Sequence, residues 1–168
     1  MARVTCVQKD LFDMPHGYCL AHCISEDFAL GAGIAVEFEK RYNMRDRLKA
    51  RCQTKYTTYV GTAIKIDNVY NLITKKRCYE KPTYNDLKQA LMGMALDIDV
   101  NDVKTLAMPK IGAGLDKLRW EIVYAIILDV FRDIDVDITI CFLEGDADFS
   151  VGESDLKPLE DYFLEIEE

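Results

Sequence analysis

Residues 71–84, NLITKKRCYEKPTY, contain the junction between a strand and a helix that decides the fold class. An apolar, strand-like segment runs into Lys75 and Lys76 and then into what reads as a helix start. Thr83 followed three residues later by Asp86 resembles a capping box. The apolar residues that follow have helical spacing: Tyr84, Leu87, Leu91, Met94 and Ile98. The stretch therefore predicts a strand followed by an amphipathic helix.

Strand-like segments recur along the rest of the chain, and helical patterns lie between most of them. The segments are 4–7, 18–24, 57–66, 69–74, 105–108 and 138–143. A second helical pattern begins at Trp120. Strands that alternate with helices predict an α/β layered sheet. We predict one domain over residues 1–145 and an acidic C-terminal extension over 146–168, which contains a short amphipathic helix or an extra strand.

The composition excludes several classes of protein. The chain has 168 residues, 49% hydrophobic and 30% charged, which is typical of a globular domain rather than of a disordered or membrane protein. No apolar run approaches the ~20 residues that span a bilayer. The N-terminal residues lead directly into a strand pattern rather than into a signal peptide. We therefore expect an intracellular monomer, in the cytoplasm or nucleus, without a membrane partner.

Six scattered cysteines without a CxxC motif predict buried, reduced thiols rather than disulfides. Cys19, His22 and Cys23 are close enough in sequence to raise the question of a metal site. Alternation along a strand would place the two cysteines on one face and the histidine on the other. We therefore expect no metal.

The net charge of −8 is unevenly distributed, since residues 133–168 hold thirteen acidic side chains and one basic side chain. The segment 40–51 concentrates six positive charges, which would either meet phosphates or form the solvated face of a helix. The overall acidity argues against broad affinity for a phosphate backbone. Nucleic acid thus stays open as a partner, without support.

Two glycine-rich turns follow strand-like segments, Gly31-Ala32-Gly33 after the second and Gly112-Ala113-Gly114 after the fifth. Such turns lie at the carboxyl ends of strands, where ligands bind, and glycine lets backbone amides approach a phosphate closely. Neither turn matches the GxGxxG or GxxxxGK[ST] fingerprint. The two turns would either bind a diphosphate between them or serve only as tight structural turns.

Six elements, in a fixed order and spacing, carry a resemblance to a known family. They are KDLF (9–12), AHCISEDFALGAGIAVEF (21–38), LITKKR (72–77), KPTY (81–84), MPKIGAGLD (108–116) and Trp120. Together they resemble a macrodomain, and more narrowly the branch called terminal ADP-ribose protein glycohydrolase or O-acetyl-ADP-ribose deacetylase. The resemblance spans about residues 4–141. It implies a single three-layer α/β/α macrodomain with a mixed, mostly parallel six-stranded sheet.

The resemblance also implies the catalytic residues, with Lys75 as nucleophile and Asp116 as its partner. Lysine is a nucleophile only when it is neutral, and burial favours the neutral amine. Lys75 would attack the anomeric carbon of the distal ribose and expel the esterified carboxylate. Asp116 would then act as general acid/base to release ADP-ribose. Lys76 would point to the opposite face of the strand and remain solvated.

Binding residues follow from the same resemblance. Asp10 would accept a hydrogen bond from the adenine amino group, and Ser25 and Thr74 would line the distal-ribose pocket. Amides of the two glycine turns would hold the diphosphate and the distal ribose. The expected ligand-binding residues are Asp10, Leu11, Ser25, Gly31, Ala32, Gly33, Ile34, Thr74, Ile111, Gly112, Ala113, Gly114 and Leu115.

The expected function is that of an ADP-ribosyl hydrolase that needs neither metal nor cofactor. Its substrates would be ADP-ribose esterified to Glu or Asp of a protein, or O-acetyl-ADP-ribose. The alternatives are a non-catalytic ADP-ribose reader, or a hydrolase of ADP-ribose 1″-phosphate or of ADP-ribosylated nucleic acid. Lys75 with Asp116 favours an enzyme, because binding a diphosphate needs the glycine turns but not an amine beside a carboxylate.

Overall fold

The computed structural model describes residues 1–53, 57–146 and 155–166, which form six strands, five α-helices and one 3-10 helix. The strands are β1 (Arg3–Gln8), β2 (Cys19–Ser25), β3 (Thr62–Ile66), β4 (Val69–Lys75), β5 (Thr105–Pro109) and β6 (Asp137–Phe142). The α-helices are α1 (Ala35–Tyr42), α2 (Met44–Arg51), α3 (Tyr84–Val100), α4 (Trp120–Val130) and α5 (Leu159–Glu165). The 3-10 helix is Leu11–Asp13.

The six strands form one sheet in the order β1-β6-β5-β2-β4-β3. All neighbouring pairs are parallel except β3 with β4, which is antiparallel. The prediction of a mixed, mostly parallel six-stranded sheet is therefore confirmed. The carboxyl ends of the five parallel strands meet at one edge of the sheet, which is where α/β proteins bind ligands.

Helices cover both faces of the sheet, which confirms the three-layer arrangement. On one face, α1 and α2 bury Phe38, Met44 and Leu48 in a first core cluster. On the other face, α3 and α4 pack in a second core cluster. Side chains of β4 alternate between the two clusters, since Ile73 belongs to the first cluster and Leu72 to the second.

Helix α3 begins where the capping pattern predicts. The Thr83 hydroxyl accepts a hydrogen bond from the Asp86 amide at 3.0 Å, which satisfies one of the first free N–H groups of the helix. The apolar residues at helical spacing are buried against the sheet. None of the described helices combines the length and the apolar character needed to span a bilayer.

The predicted third strand over 57–66 is too long, because β3 begins only at Thr62. Two of the preceding amides, those of Tyr59 and Val60, donate to the Glu26 carboxylate. They are therefore not available to a strand ladder. A turn closed by the Thr62 amide on the Tyr59 carbonyl, with Gly61 at φ +85°, then leads into the strand.

The described part of the C-terminal extension forms a helix and shares the core. Tyr162 on α5 is 2% exposed and belongs to the second core cluster. Phe163 packs against the same cluster, and the Lys88 ammonium lies 5.7 Å from its ring centre. Removal of α5 would therefore uncover apolar surface of the body. The domain boundary at residue 145 stays a prediction.

All six cysteines are free, but the prediction that they are buried is wrong for Cys6 and Cys78, which are exposed. Cys19 packs with the second core cluster, whereas His22 stacks on Phe38 in the first, with ring centres 3.9 Å apart. The opposite faces predicted for these two residues are confirmed. Among residues 1–53, 57–146 and 155–166, no group of three or more His, Cys, Asp or Glu is placed to hold a metal ion.

Candidate active site

A cavity of about 680 Å³ lies at the carboxyl ends of β2, β4, β5 and β6. The topology brings these strand ends together, so residues far apart in sequence line one space. Both glycine turns border the cavity, and we call residues 31–34 the first glycine loop and residues 112–115 the second glycine loop. Every residue expected to bind or react with the ligand lines the cavity, with Thr74 as the one exception.

Lys75 and Asp116 form an ion pair in this cavity. Lys75 is the last residue of β4, and its Nζ donates to Asp116 Oδ1 at 2.6 Å. The side chains are only 14% and 16% exposed. The neighbouring Lys76 is exposed, as the alternation of the strand predicts. The structure thus brings the two expected catalytic groups into direct contact and separates the second lysine from them.

Cys23 lines the cavity close to this pair but is a poor candidate for the nucleophile. Burial, together with the negative charge of Asp116, raises the pKa of the Cys23 thiol far above its ordinary value, although Lys75 acts in the opposite direction. The thiolate is the reactive form of cysteine. Lys75 therefore remains the better candidate.

The first glycine loop lies in the connection between β2 and α1 and directly precedes α1. Gly33 has φ +61°, a conformation that favours glycine. The amides of residues 31–34 make no backbone hydrogen bond to any described residue. They are therefore available to acceptor oxygens of a ligand.

The second glycine loop follows β5. Gly112 has φ +74°, and the loop is closed by the Leu118 amide, which donates to the Gly112 carbonyl at 2.7 Å. The Ala113 amide donates to the Lys110 carbonyl at 3.3 Å and is therefore engaged within the turn. The amides of Gly112, Gly114 and Leu115 make no backbone hydrogen bond within the described part of the chain.

Ser25 lies beside Lys75 in the sheet and is buried. Its hydroxyl donates to Asp27, which also accepts hydrogen bonds from the amides of Ala29 and Cys78. Burial disfavours the Asp27 carboxylate, but the hydrogen bonds from Ser25, Cys78 and Ala29 outweigh it and hold the pKa of Asp27 below its ordinary value. The Ser25 proton is thus committed to Asp27, and the oxygen presents its lone pairs as acceptors.

Asp10 and Leu11 border the cavity at the start of the 3-10 helix. Asp10 caps this helix by accepting a hydrogen bond from the Phe12 amide at 2.9 Å through Oδ1. Thr74 is different, because it does not line the cavity. It is buried, and its hydroxyl has no partner in the described structure. The expected role of Thr74 in lining the ribose pocket is not supported.

The site now has a context among known proteins. No protein-family model matches the chain. The chain is 45% identical over 141 residues to the ADP-ribose glycohydrolase OARD1 of Homo sapiens. The aligned region covers 83% of this chain and 91% of the human protein. The chain belongs to the macrodomain family, in the branch of OARD1.

Solved macrodomains share the fold at lower identity. The macrodomain of Mycobacterium tuberculosis DarG superposes with a TM-score of 0.75 and 23% identity, over 84% of this chain and 98% of that chain. Thermosipho africanus DarTG, solved in complex with ADP-ribose, gives a TM-score of 0.71 and 18% identity, over 95% of this chain and 46% of that chain. These likenesses extend the evidence for the fold.

Sequence reasoning missed about half of the residues that line the macrodomain's cavity. Most of them lie in the last residues of a parallel strand or soon after its carboxyl end, and that position was the signal that could have found them. Glu37, on α1, carries no such signal. The missed residues are Lys9, Phe12, Cys23, Ile24, Leu30, Ala35, Glu37, Cys78, Pro109, Lys110, Cys141, Phe142, Leu143 and Asp146.

Proposed function

We propose that this macrodomain is an ADP-ribosyl hydrolase that cleaves the ester bond between ADP-ribose and an acidic side chain of a protein. The observation that carries the proposal is the ion pair of Lys75 with Asp116, nearly buried in a cavity that both glycine loops border. The OARD1 relative named as an ADP-ribose glycohydrolase supports the same reaction class. O-acetyl-ADP-ribose is a second substrate of this site, because it is also an ester of the distal ribose.

The available amides of the two loops bind the substrate diphosphate and hold the distal ribose over Lys75. Backbone N–H groups suit this task, since they donate to phosphate oxygens without adding a mobile side chain. Ser25 accepts a hydrogen bond from a ribose hydroxyl, because its own proton is committed to Asp27. These contacts fix the anomeric carbon against the amine.

The reaction proceeds in two steps. A proton of Lys75 passes to Asp116 Oδ1, 2.6 Å away, and leaves a lone pair on the amine. The amine attacks the anomeric carbon, a C–N bond forms, and the C–O bond to the ester breaks with its electron pair on the leaving carboxylate, which takes the proton that Asp116 holds. The nitrogen of the adduct passes a proton to the ring oxygen as the ring C–O bond breaks, which gives an open-chain protonated imine. Asp116, again a carboxylate, takes a proton from water as the water oxygen adds to the imine carbon and returns it to the nitrogen; the C–N bond then breaks, lysine leaves as its ammonium, and the aldehyde closes to free ADP-ribose.

Substitution of Lys75 tests this mechanism. In Lys75→Ala, hydrolysis of a glutamate-linked ADP-ribosylated protein should fall on the order of 10³-fold or more, while ADP-ribose affinity by calorimetry changes little, because a nucleophile acts mainly in the transition state. Lys75→Arg should be equally inactive, since a guanidinium stays protonated. The matched control is Lys76→Ala, which removes the exposed neighbouring ammonium and should keep the parent rate.

Retention of most of the hydrolysis rate in Lys75→Ala would overturn the nucleophile, because water activated by Asp116 alone would then suffice. Tight ADP-ribose binding without release of ADP-ribose by the parent protein would instead favour a reader. Asp116→Ala should slow both the deprotonation of Lys75 and the hydrolysis of the imine, so that borohydride, which reduces imines, traps on Lys75 a larger fraction of the ADP-ribose that has reacted than in the parent.

A further inference from the structure

The segment that precedes the first glycine loop has an unusual backbone. Phe28 and Leu30 have φ +52° and +47°, although both carry large side chains. Such residues rarely enter the left-handed region, because the Cβ atom crowds the following carbonyl. Both side chains are buried in the first core cluster. Something in the surrounding structure must hold this segment in place.

Arg45 supplies one of the restraints. It lies near the start of α2, and its guanidinium donates to two consecutive carbonyls of the segment, to Phe28 through Nε at 3.0 Å and to Ala29 through Nη2. Arg45 itself is fixed, since its amide donates to the Glu39 carboxylate at 2.6 Å. The planar fork of arginine suits two adjacent acceptors.

Asp27 restrains the same segment as well, because its carboxylate accepts a hydrogen bond from the Ala29 amide. After the strained residues 28–30 the chain forms the first glycine loop, α1 and α2. Arg45 on α2 then binds back to the carbonyls of the strained residues. The conformation of residues 28–30 directs the next residues, 31–34, toward the cavity.

We propose that Arg45 is a positioning residue that holds the first glycine loop in its binding conformation before the ligand arrives. The proposal rests on the function proposed above, because it assigns those amides to the diphosphate. Without the guanidinium, residues 28–30 relax to an unstrained backbone, and the ligand must first restore the strained one. The apparent Kd equals the intrinsic Kd divided by the fraction of molecules whose loop is in the binding conformation, so the apparent affinity falls as that fraction falls. Chemistry at Lys75 is unchanged once the loop is in place.

The test compares Arg45→Ala with Arg47→Ala. Arg47 lies on the same helix and pairs with the exposed Asp67, away from the loop, so its loss controls for removing an α2 arginine. In Arg45→Ala, the Kd for ADP-ribose and the KM for ester hydrolysis should rise about 5- to 100-fold, the range expected when strained residues lose their support. The kcat should stay within about twofold of the parent value. Arg47→Ala should leave all three values near those of the parent.

Arg45→Lys serves as the second variant, since an ammonium keeps the charge but lacks the planar fork. It should give an intermediate rise in Kd and KM, and it decides the question if Arg45→Ala does not fold. Unchanged Kd and KM in the folded variant, or an equal loss in kcat with unchanged KM, would overturn the proposal. A parent protein that neither binds nor hydrolyses the ester would refute the proposed function itself, which is a different result.

Discussion

The two glycine loops reach one cavity from different core clusters, and they are held in different ways. The first glycine loop follows the strained residues 28–30, whose carbonyls bind Arg45. The second glycine loop turns at Gly112, which packs against Leu118 and Leu87. Hydrogen bonds from the side chains of Arg45 and to that of Asp27 hold the segment before the first loop, whereas a backbone hydrogen bond from Leu118 and close apolar packing hold the second loop. The loops should therefore differ in what disrupts them.

The largest effect is expected at Gly112. A Cβ there would come within 2.9 Å of Leu118 Cδ1, and φ +74° disfavours any branched side chain. Gly112→Val should cost about 2 to 5 kcal/mol of unfolding free energy from strain and overpacking. ADP-ribose binding should be lost as well, because the loop amides move.

Chemical denaturation and calorimetry measure the two effects of Gly112→Val. Gly114→Ala is the matched control for stability, since a Cβ on Gly114 meets nothing within 4 Å and its φ is not positive. If Gly112→Val were as stable as the parent and bound ADP-ribose as tightly, the claim that packing holds the second loop would fail.

The second largest effect is expected to be a pH dependence of stability at His22, which stacks on Phe38 of the first core cluster. His22 is buried under Phe38, and its Nε2 contacts Asn71 Oδ1 at 2.7 Å. Asn71 donates its amide to the Ile64 carbonyl, so its oxygen faces His22 and Nε2 carries the proton. Nδ1 has no partner in the described structure. Burial lowers the pKa of His22 to about 4, against a raising effect of the Asn71 hydrogen bond.

Because the folded pKa of His22 is lowered, the unfolded chain takes up this proton first as the pH falls. The stabilisation is complete above about pH 6.5 and is lost progressively between about pH 6.5 and pH 4, for a total of about 3 kcal/mol. His22→Gln should flatten this part of the stability curve, measured by denaturant titration at each pH. His16→Gln, at the exposed second histidine, is the matched control. An unchanged slope in His22→Gln would contradict the assignment.

The sequence predicted most of the fold and much of the site, for a physical reason. Alternation along strands and helical spacing are local signals, and they gave β4, the start of α3, and the opposite faces of Cys19 and His22. The positions of Lys75 and Asp116 followed from the resemblance, and the topology then made them meet. The site residues that belong to short sequence motifs could therefore be predicted from the sequence.

Contacts between distant segments were not accessible in the same way. The third strand starts later than predicted because the Glu26 carboxylate, 33 residues before Tyr59, accepts a hydrogen bond from the Tyr59 amide. Arg45 was one charge in the basic segment 40–51, and nothing local distinguishes it from Arg47, which pairs with Asp67. Thr74 is buried and does not line the cavity, and the irregular pairing of β2 with β4 beside it leaves no local pattern in the sequence.

The smallest effect separates the two glycines of the first loop. Gly33 has φ +61°, and a Cβ there would lie 3.3 Å from Leu115 Cδ1, the exposed and flexible end of a side chain across the cavity. Gly31 has no positive φ, and a Cβ there would meet only the Ala29 carbonyl at 3.8 Å. Gly33→Ala should therefore cost about 1 kcal/mol of unfolding free energy, mainly from backbone strain.

Gly31→Ala should be neutral or stabilising by about 0.5 kcal/mol, because alanine restricts the unfolded chain. Thermal and denaturant unfolding of the two variants, side by side, measures the difference. The contrast follows from the structure of the loop, since only Gly33 takes up the left-handed conformation that leads into α1, while the strain before it is carried by Phe28 and Leu30. Equal destabilisation of both variants would mean that the whole loop, rather than its last turn, depends on glycine.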